Sequence, residues 1–457
     1  MWVAPLIYLV VSVILWQLEI GLFMPELLAN RMFEIFPATV IEAAVQMMGP
    51  LAKQLAFYGI AVVYFGFYFL FAHHWDRIRP YLGNAFYAAF ALWGVHVLVV
   101  IPAAGMGIFA IKSPQGGLNA SILLFASHWI FARSLQFQGF RAQPAVTKTG
   151  RRVFVVAVAT AAVAALVRGY RVFFKPAKWS DEVTPTAEFY TVSKNSVDPV
   201  VPEAAWKLDV KGANGSASYT LAQMRDLPSI SMYATLACIS NPVGGDWMGN
   251  AKWTGVPLSA LLQEAGVGNR TRDVVFHAAD GYTVSIPFER AMQPFCFLAY
   301  EMNGAPLTSS HGFPLRLIVP GIYGMKNVKW ITAIELVDYD YRGFWQKRGW
   351  DDVARYKLVS RIDIAKDGFV AGVAFAGDRG VDSVQVKIGD EPWRDAELHP
   401  ALSPITWVLW SLKEGKPDVK GKGVMVRMKA SDGELQIAQP APPFPEGSSG
   451  LHTVKGA

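Results

Sequence analysis

Five stretches of this chain are long and apolar enough to cross a bilayer: 3–23, 52–72, 84–111, 118–138 and 152–172. A hydrocarbon core of roughly 30 Å takes about 20 residues of helix, and inside lipid every backbone amide must be paired within the fold. Residues 1–172 are therefore expected to form an α-helical membrane bundle of about five spans. The third run is the longest, and Pro102 and Gly105 are expected to break its end. Of the whole chain, 52% of residues are hydrophobic and 17% charged, too apolar for a purely soluble protein and too polar for membrane helices alone. Residues 180–457 supply the difference, mixing charge, Gly and Pro as globular domains do.

Charge sets the expected topology. With the C-terminal part outside the cytoplasm, loops 73–83 and 139–151 lie inside and carry Arg77, Arg79, Arg141, Lys148, Arg151 and Arg152. The opposite loops carry chiefly Arg31, Lys53 and Lys112, the asymmetry that cytoplasmic loops show. Arg168, Arg171, Lys175 and Lys178 argue the other way. The run TGRRVFVVAVATAAVAAL places Arg151 and Arg152 before an Ala-rich span and resembles a twin-arginine export signal; its plainer reading is two arginines holding a helix end at the inner surface. The expected location is thus the cytoplasmic membrane, multi-pass, with the C-terminal part on the periplasmic side. The net charge of +6 sits largely beside the apolar runs, and no basic stripe with interleaved aromatics points to nucleic acid.

Ionisable residues within spans are expensive and prompt a functional question. His96 and His128 fall at similar depth in the third and fourth runs. Two facing imidazoles there suit the axial ligands of a haem b; equally, each could hydrogen-bond a neighbouring helix. Residues 173–187 have no period and read as a short tether.

From 188 to 345, short β-like runs (AAWKLDVKG, DVVFHAADGYTVSIP, PLRLIVP, VKWITAIELVD) alternate with turns and with the helix-like TLAQMRDL and LSALLQEAG, an α+β pattern. Basic and imidazole residues gather in SKNS (193–196), HGFPLR (311–316) and GMKNVKW (324–330), each beside turn residues. The chain holds two cysteines, too few for a disulfide framework and without zinc-site spacing. Cys296 lies among aromatics and reads as an inert core thiol. Cys238 sits in the turn-rich loop LACISNPVGGDW, where it is either a buried small residue or a specialised ligand. A soft thiolate beside a basic pocket suits a metal carried by a phosphorylated organic cofactor.

Here the sequence resembles the sulfite oxidase family of molybdopterin enzymes. LACISNPVGGDWMGNAKWTGVPLSALL is similar to the segment whose single cysteine binds molybdenum, and AYEMNGAPLTSSHGFPLRLIVPGIYGMKNVKW follows the family pattern with the same spacing among His311, Arg316, Lys329 and Trp330. The resemblance covers about 188–440 and implies a Mo-molybdopterin cofactor. It makes Cys238 the molybdenum thiolate and lines the cofactor with Asn195, His311, Arg316, Tyr323, Gly324, Lys326, Asn327 and Lys329. It also implies that 346–440, with its short alternating strands, is an immunoglobulin-type β-sandwich through which the chain could form a homodimer; 441–457 reads as an irregular tail.

The match fails at two places. Sulfite-oxidising members have Arg-Asn-His where this chain has Lys194-Asn195-Ser196, and their catalytic Tyr falls on Trp350, with Tyr341 as the alternative. A Lys offers a point charge in place of a planar fork, and a Trp has no titratable hydroxyl. The expected function is oxygen-atom transfer on a small-molecule substrate by a lipid-embedded enzyme that exchanges electrons with the quinone pool or a respiratory redox protein. The alternatives are an S-oxide or N-oxide reductase fed by quinol, and a non-catalytic binding module with a transport or signalling membrane domain.

Overall fold

The computed structural model describes residues 3–18, 20–48, 51–111, 117–139, 178–195, 197–412 and 417–457. They divide into two units, an N-terminal one that ends at 139 and takes in 194, 195 and 197, and a C-terminal one of 178–193 and 198–457. The fifth expected span, 152–172, and the Arg151-Arg152 pair lie outside the described residues.

In the N-terminal unit the described secondary structure up to 139 is helical. Helices Leu51–His73 and Gly117–Gly139 correspond to the second and fourth apolar runs. The third run forms helix Ala85–Val95, passes through a π-helical turn at His96–Val100 and ends at Ala103, beside the Pro102 and Gly105 expected to stop it. The first run departs from expectation. Its helix, Val3–Gln17, ends short of 23, and the chain turns into two further helices, Met24–Ile35 and Ala38–Met48. Gly21 lies between the first two helices, Pro25 in the first turn of Met24–Ile35 and Pro37 just before Ala38–Met48, where Gly and Pro interrupt a helical ladder most readily. Among the described residues two helices, Ala52–His73 and Ala85–Ala103, are long and apolar enough to cross a membrane by length and composition. The first of these presents Leu55, Val62, Val63, Phe67 and Leu70 outward, all exposed. The inner faces pack Phe65, Trp75, Leu92, Phe131 and Leu135 into one core.

The C-terminal unit begins with a mixed sheet and an antiparallel one. One sheet orders its strands Ser216–Tyr219, Leu208–Lys211, Ile331–Val337, Asp273–Ala278 and Thr283–Pro287, with 208–211 and 331–337 parallel. The other runs Ile230–Ala237, Met248–Pro257, Phe297–Met302 and Ala305–Pro306, with Arg316–Ile318 also paired to Phe297–Met302. Helix Leu258–Ala265 buries Leu258, Leu261, Leu262 and Ala265, an i, i+3, i+4, i+7 stripe that joins the core of the first sheet around Val274, Phe276, Val284 and Ile334.

Two four-stranded antiparallel sheets follow, one ordered Val359–Lys366, Phe369–Phe375, Val408–Leu412, Glu397–Leu398, the other Arg394–Asp395, Val381–Ile388, Gly423–Ala430, Thr453–Lys455. Alternate residues point inward: Val370 and Ala374 from one sheet meet Val384, Val386, Val424 and Val426 from the other around Trp410, as period-2 burial requires.

Two sequence expectations change here. Part of the tail is a strand, because Thr453–Lys455 adds to the edge of Gly423–Ala430. The described end of the tether is docked: Trp179 Nε1 donates to Gly372 O (3.1 Å), and Glu182 O accepts from Asn250 Nδ2 (2.8 Å) and Trp407 Nε1 (3.0 Å). Buried donors from the folded unit take up its carbonyls.

Trp410→Ala should lower the stability of the C-terminal unit by about 3–5 kcal/mol, measured by urea unfolding; a loss under about 1 kcal/mol would contradict a core shared by the two sheets.

Candidate functional site

Cys238 stands at the end of a stiff arm. Strands Ile230–Ala237 and Met248–Pro257 pair in continuous antiparallel register from Ile230 opposite Gly255 to Ala237 opposite Met248, so residues 238–247 form the connecting loop and Cys238 is its first residue. Loop bonds fix it: Cys238 N donates to Trp247 O (2.9 Å), Asn241 N to Cys238 O (3.1 Å), and Trp247 N to Asn241 Oδ1 (3.0 Å). The thiol is 8% exposed. It forms no disulfide, nor does Cys296, whose Sγ–H faces Arg290 O at 3.1 Å and whose thiol burial pushes up to about 12.

Tyrosines crowd the thiolate position. Burial holds the phenols of Tyr190 and Tyr282 well above the usual range and pushes Tyr323 up to about 12; the adjacent Cys238 contributes to all three. Tyr356, raised by burial in the same way, accepts the Ala237 amide through its hydroxyl oxygen at 3.0 Å. Gly324 comes in closest. A Cβ there would fall 2.6 Å from the Tyr190 hydroxyl and 3.1 Å from Ala237 O, so only a glycine lets this backbone reach the arm beside Cys238.

The basic residues gather on one turn and its neighbour. Arg316 is 6% exposed. Its Nη1 donates to His311 O (3.0 Å) and its guanidinium lies 4.8 Å over the Trp253 ring. Its Nε is buried with no partner. Burial draws its pKa down to about 10, opposed by nearby Tyr190 and Tyr356. Lys329 Nζ donates to Ser310 O (3.0 Å) and Ser193 Oγ (2.7 Å) and is 3.9 Å from Asp198. His311 Nε2 donates to Thr186 O (2.9 Å), and burial draws its imidazole down to about 4, with Arg316 and Lys329 adding to the effect. A cleft of about 460 Å³ opens beside it, lined by Thr186, Thr191, Thr308, Ser310 and His311 among others.

Other expected site residues have different company. Lys326 Nζ donates to Ser285 O (2.8 Å) and reaches Asp352 at 3.4 Å. Asn327 receives Val319 N at 2.7 Å and donates to Tyr323 O at 3.2 Å. Asn327 thus shapes loop 319–327, and Lys326 ties that loop to strand Thr283–Pro287 and to Asp352. Lys194 Nζ donates to Asn195 Oδ1 (2.6 Å), next to Ser193 and its bond to Lys329. Trp350 is buried, with its ring 5.1 Å from that of Phe444. Tyr341 is occupied elsewhere: its hydroxyl donates to Thr283 Oγ1 (2.9 Å) and its carbonyl accepts from Ser285 Oγ. Sequence reasoning missed Tyr190, Tyr282, Tyr356 and Trp253; the aromatic density around the basic motifs was the available signal.

In the N-terminal unit His96 and His128 come together. Their Nδ1 atoms face the carbonyls of Leu92 (2.8 Å) and Leu124 (2.7 Å), which makes each Nδ1 a donor and leaves each Nε2 an acceptor. Tyr64 and Tyr68 hydroxyls meet those acceptors at 2.9 and 2.8 Å. The ring centres are 4.6 Å apart. Two imidazoles on opposite faces of one iron, each bound at about 2 Å, need roughly 6 Å. The pair does not fit a haem b between its rings; it is part of a hydrogen-bonded Tyr–His core in which Tyr8 joins Tyr68 at 3.0 Å.

Does the Cys238 region fit a molybdopterin-held metal? Among the described residues no cluster of His, Cys, Asp or Glu makes a metal site by itself, so a metal at Cys238 must bring its other ligands with it. A buried guanidinium keeps its charge and calls for an anion, and the unspent Nε of Arg316 supplies a donor. The residues fit.

Comparison with known proteins agrees. Residues 195–345 match the oxidoreductase molybdopterin binding domain family. The chain is 36% identical over 289 residues to the mitochondrial sulfite oxidase of Drosophila melanogaster, covering 50% of each, and 30% identical over 313 residues to that of Rattus norvegicus, covering 56% of this chain and 57% of that one. It is 32% identical over 145 residues to the uncharacterized oxidoreductase YuiH of Bacillus subtilis, covering 32% of this chain and 72% of that one. Its fold resembles the sulfane dehydrogenase SoxCD from Paracoccus pantotrophus, with TM-score 0.53 and 20% identity over 61% of this chain and 82% of that one. The chain belongs to the sulfite oxidase family of molybdopterin oxidoreductases. It spans about half the length of the mitochondrial sulfite oxidases it matches. That membership replaces the alternative of a non-catalytic binding module.

With its pKa at about 4, His311 is neutral in the folded protein where an unfolded chain, titrating near 6.5, is protonated. Between those values the unfolded state binds more protons, so stability falls as pH drops from about 6.5 toward 4, by about 3 kcal/mol in all. Urea unfolding of cofactor-free protein should show this slope, and His311→Gln should flatten it; an unchanged slope in the variant would place its origin elsewhere.

Proposed function

We propose that the chain is a membrane-anchored enzyme that transfers an oxygen atom to or from a small substrate. The observation that carries this is a rigid arm ending in Cys238 and a buried, anion-seeking Arg316 in the same sheet, with Tyr190 and Tyr356 near both. When bound, the molybdopterin-held molybdenum supplies the atom transfer and takes up or gives the electron pair. The chain's own residues hold and shape. Cys238 offers the thiolate. Arg316, His311, Lys329 and Asn195 take the cofactor's anionic and polar edges, and the hydroxyl-lined cleft beside His311 receives its phosphate. Tyr323 and Gly324 face the pterin, on a loop built by Lys326 and Asn327. Lys194 attracts an anionic or oxygen-rich substrate and Trp350 shapes its seat.

The helical unit anchors the enzyme in lipid, its outward Leu55, Val62, Val63, Phe67 and Leu70 facing acyl chains in a bundle of about five spans. Loop charge favours a catalytic unit on the periplasmic side of the cytoplasmic membrane, with Arg151-Arg152 as its export signal. Electrons pass to or from the quinone pool or a respiratory redox protein. The paired sheets at 359–455 are of immunoglobulin type and offer a homodimer surface.

A second reading, reduction of an S-oxide or N-oxide with electrons from quinol, is favoured by Lys194 and Trp350. A neutral oxide needs no planar guanidinium fork, and its reduction does without the phenol of the sulfite oxidisers.

Protein made in a molybdopterin-competent host should contain molybdenum, and Cys238→Ser should lose turnover while still partitioning with membranes; metal-free wild-type protein, or an active variant, refutes the assignment. The double variant Lys194→Arg, Trp350→Tyr should raise kcat/KM for sulfite by about tenfold or more, read by ferricyanide reduction. No gain would show that something other than these two positions sets the substrate.

A further inference from the structure

Residues 444–452, which belong to no strand of the paired sheets, touch three walls of the site. Phe444 packs edge-on against Trp350, with ring centres 5.1 Å apart and planes at 84°, and Asp351 N donates to Pro445 O at 3.1 Å. Lys357 Nζ donates to Gly447 O (2.8 Å), while Lys357 N donates to the Tyr323 hydroxyl (3.3 Å). Ser448, buried, donates through Oγ to Asn241 O at 2.7 Å. His452 accepts Ile362 N through Nδ1 (2.9 Å) and lies so close to Gly244 that a Cβ there would fall 2.3 Å from its Nε2.

The segment is itself held in place. Gln436 Nε2 donates to Gly450 O (2.9 Å), Ala441 and Ser449 exchange backbone bonds, and Gly450 N donates to Ile437 O (3.1 Å). Arg361 on strand Val359–Lys366 grips the same metal loop, donating from Nη1 to Gly245 O at 2.9 Å. A closed, hydrogen-bonded strap therefore ties the loop that begins at Cys238 to the aromatic position of the substrate seat. Neither tie is available from the cofactor sheets alone.

We propose that Phe444–His452 is a positioning strap of the active site: Ser448 and His452 hold the Cys238 loop, and Phe444 sets the attitude of Trp350 and with it substrate discrimination. This rests on the reading of Cys238 and Trp350 given under the proposed function. A misplacement of about 1 Å at a reacting centre is enough to cost on the order of a hundredfold in rate, which is the scale on which such a strap acts.

The test has two independent arms in the full chain. In the first, hydrogen exchange is followed at the amides of Cys238, Asn241, Gly245 and Trp247. Ser448→Ala should speed it about tenfold relative to strand Asp273–Ala278, and Ser448→Thr should restore it; unchanged exchange overturns the bracing role whether or not the protein turns over. In the second, molybdenum-loaded protein is assayed with sulfite and ferricyanide, and with dimethyl sulfoxide and reduced benzyl viologen. Phe444→Ala should change the ratio of the two kcat/KM values by about tenfold, mainly through KM, with Phe444→Leu in between. A ratio within about twofold of wild type overturns the role of Phe444. Wild-type protein inert toward both probes also overturns that role, and it counts against the proposed function while leaving the first arm to decide the bracing.

Discussion

The C-terminal unit depends on a positive charge that has been taken out of water and only partly repaid. Arg316 lies buried on the short strand Arg316–Ile318, stacked over Trp253 and bonded to the His311 carbonyl, with one donor unspent. A guanidinium in that position costs several kcal/mol unless an anion joins it, and a protein keeps such a charge where a ligand completes it. The surrounding architecture follows from this need. The turn at Ser309–His311 is pinned by Lys329, whose bonds to Ser310 and Ser193 also fix the loop before Lys194, and the arm ending at Cys238 reaches the same region through Tyr356 and Gly324.

In the function proposed above, the arm and the charge divide the work of holding a metal cofactor. A thiolate at the end of a continuous antiparallel pair has little freedom, which suits a ligand that must keep one geometry through a two-electron cycle. Preorganisation of this kind removes the ordering cost at the moment of binding. The tyrosines around it are held protonated by burial, so they remain hydrogen-bond donors and apolar walls through the pH range in which enzymes work. In the helical unit the same logic gives a different result: His96 and His128 satisfy each other's surroundings through Tyr64, Tyr68 and Tyr8, and two imidazoles that looked like metal ligands are a closed polar network inside an apolar bundle.

Much of the site was legible in the sequence because its elements are local. Cys238, His311, Arg316 and Lys329 each sit in a short motif whose turn residues show where the backbone changes direction. Most strands of the first sheet, and Arg316–Ile318 of the second, were visible as apolar runs between Gly and Pro. What the sequence did not show was long-range. Tyr190 and Tyr356 lie far along the chain from Cys238, and the docking of Trp179 on Gly372 or of Ser448 on Asn241 has no local pattern. Lys326 and Asn327 lie within a motif, yet Asn327 turns to its own loop's backbone and Lys326 to Ser285 O and Asp352, a choice made by packing. The break after Gln17 was signalled by Gly21, Pro25 and Pro37, but an apolar run of that length masks such signals. The tail at 441–457 is a similar case. Its Pro and Gly content suggests irregularity, and it is irregular over much of its length, but its bonds are to distant residues.

X-ray absorption at the molybdenum edge tests the central claim most directly, since it counts the sulfur neighbours of the metal. The wild-type protein should show one more sulfur at bonding distance than Cys238→Ser, with the Cys296→Ser variant indistinguishable from wild type. An identical sulfur count in wild type and Cys238→Ser would mean that the metal is held without this thiolate, and that the arm ending at Cys238 serves some other purpose.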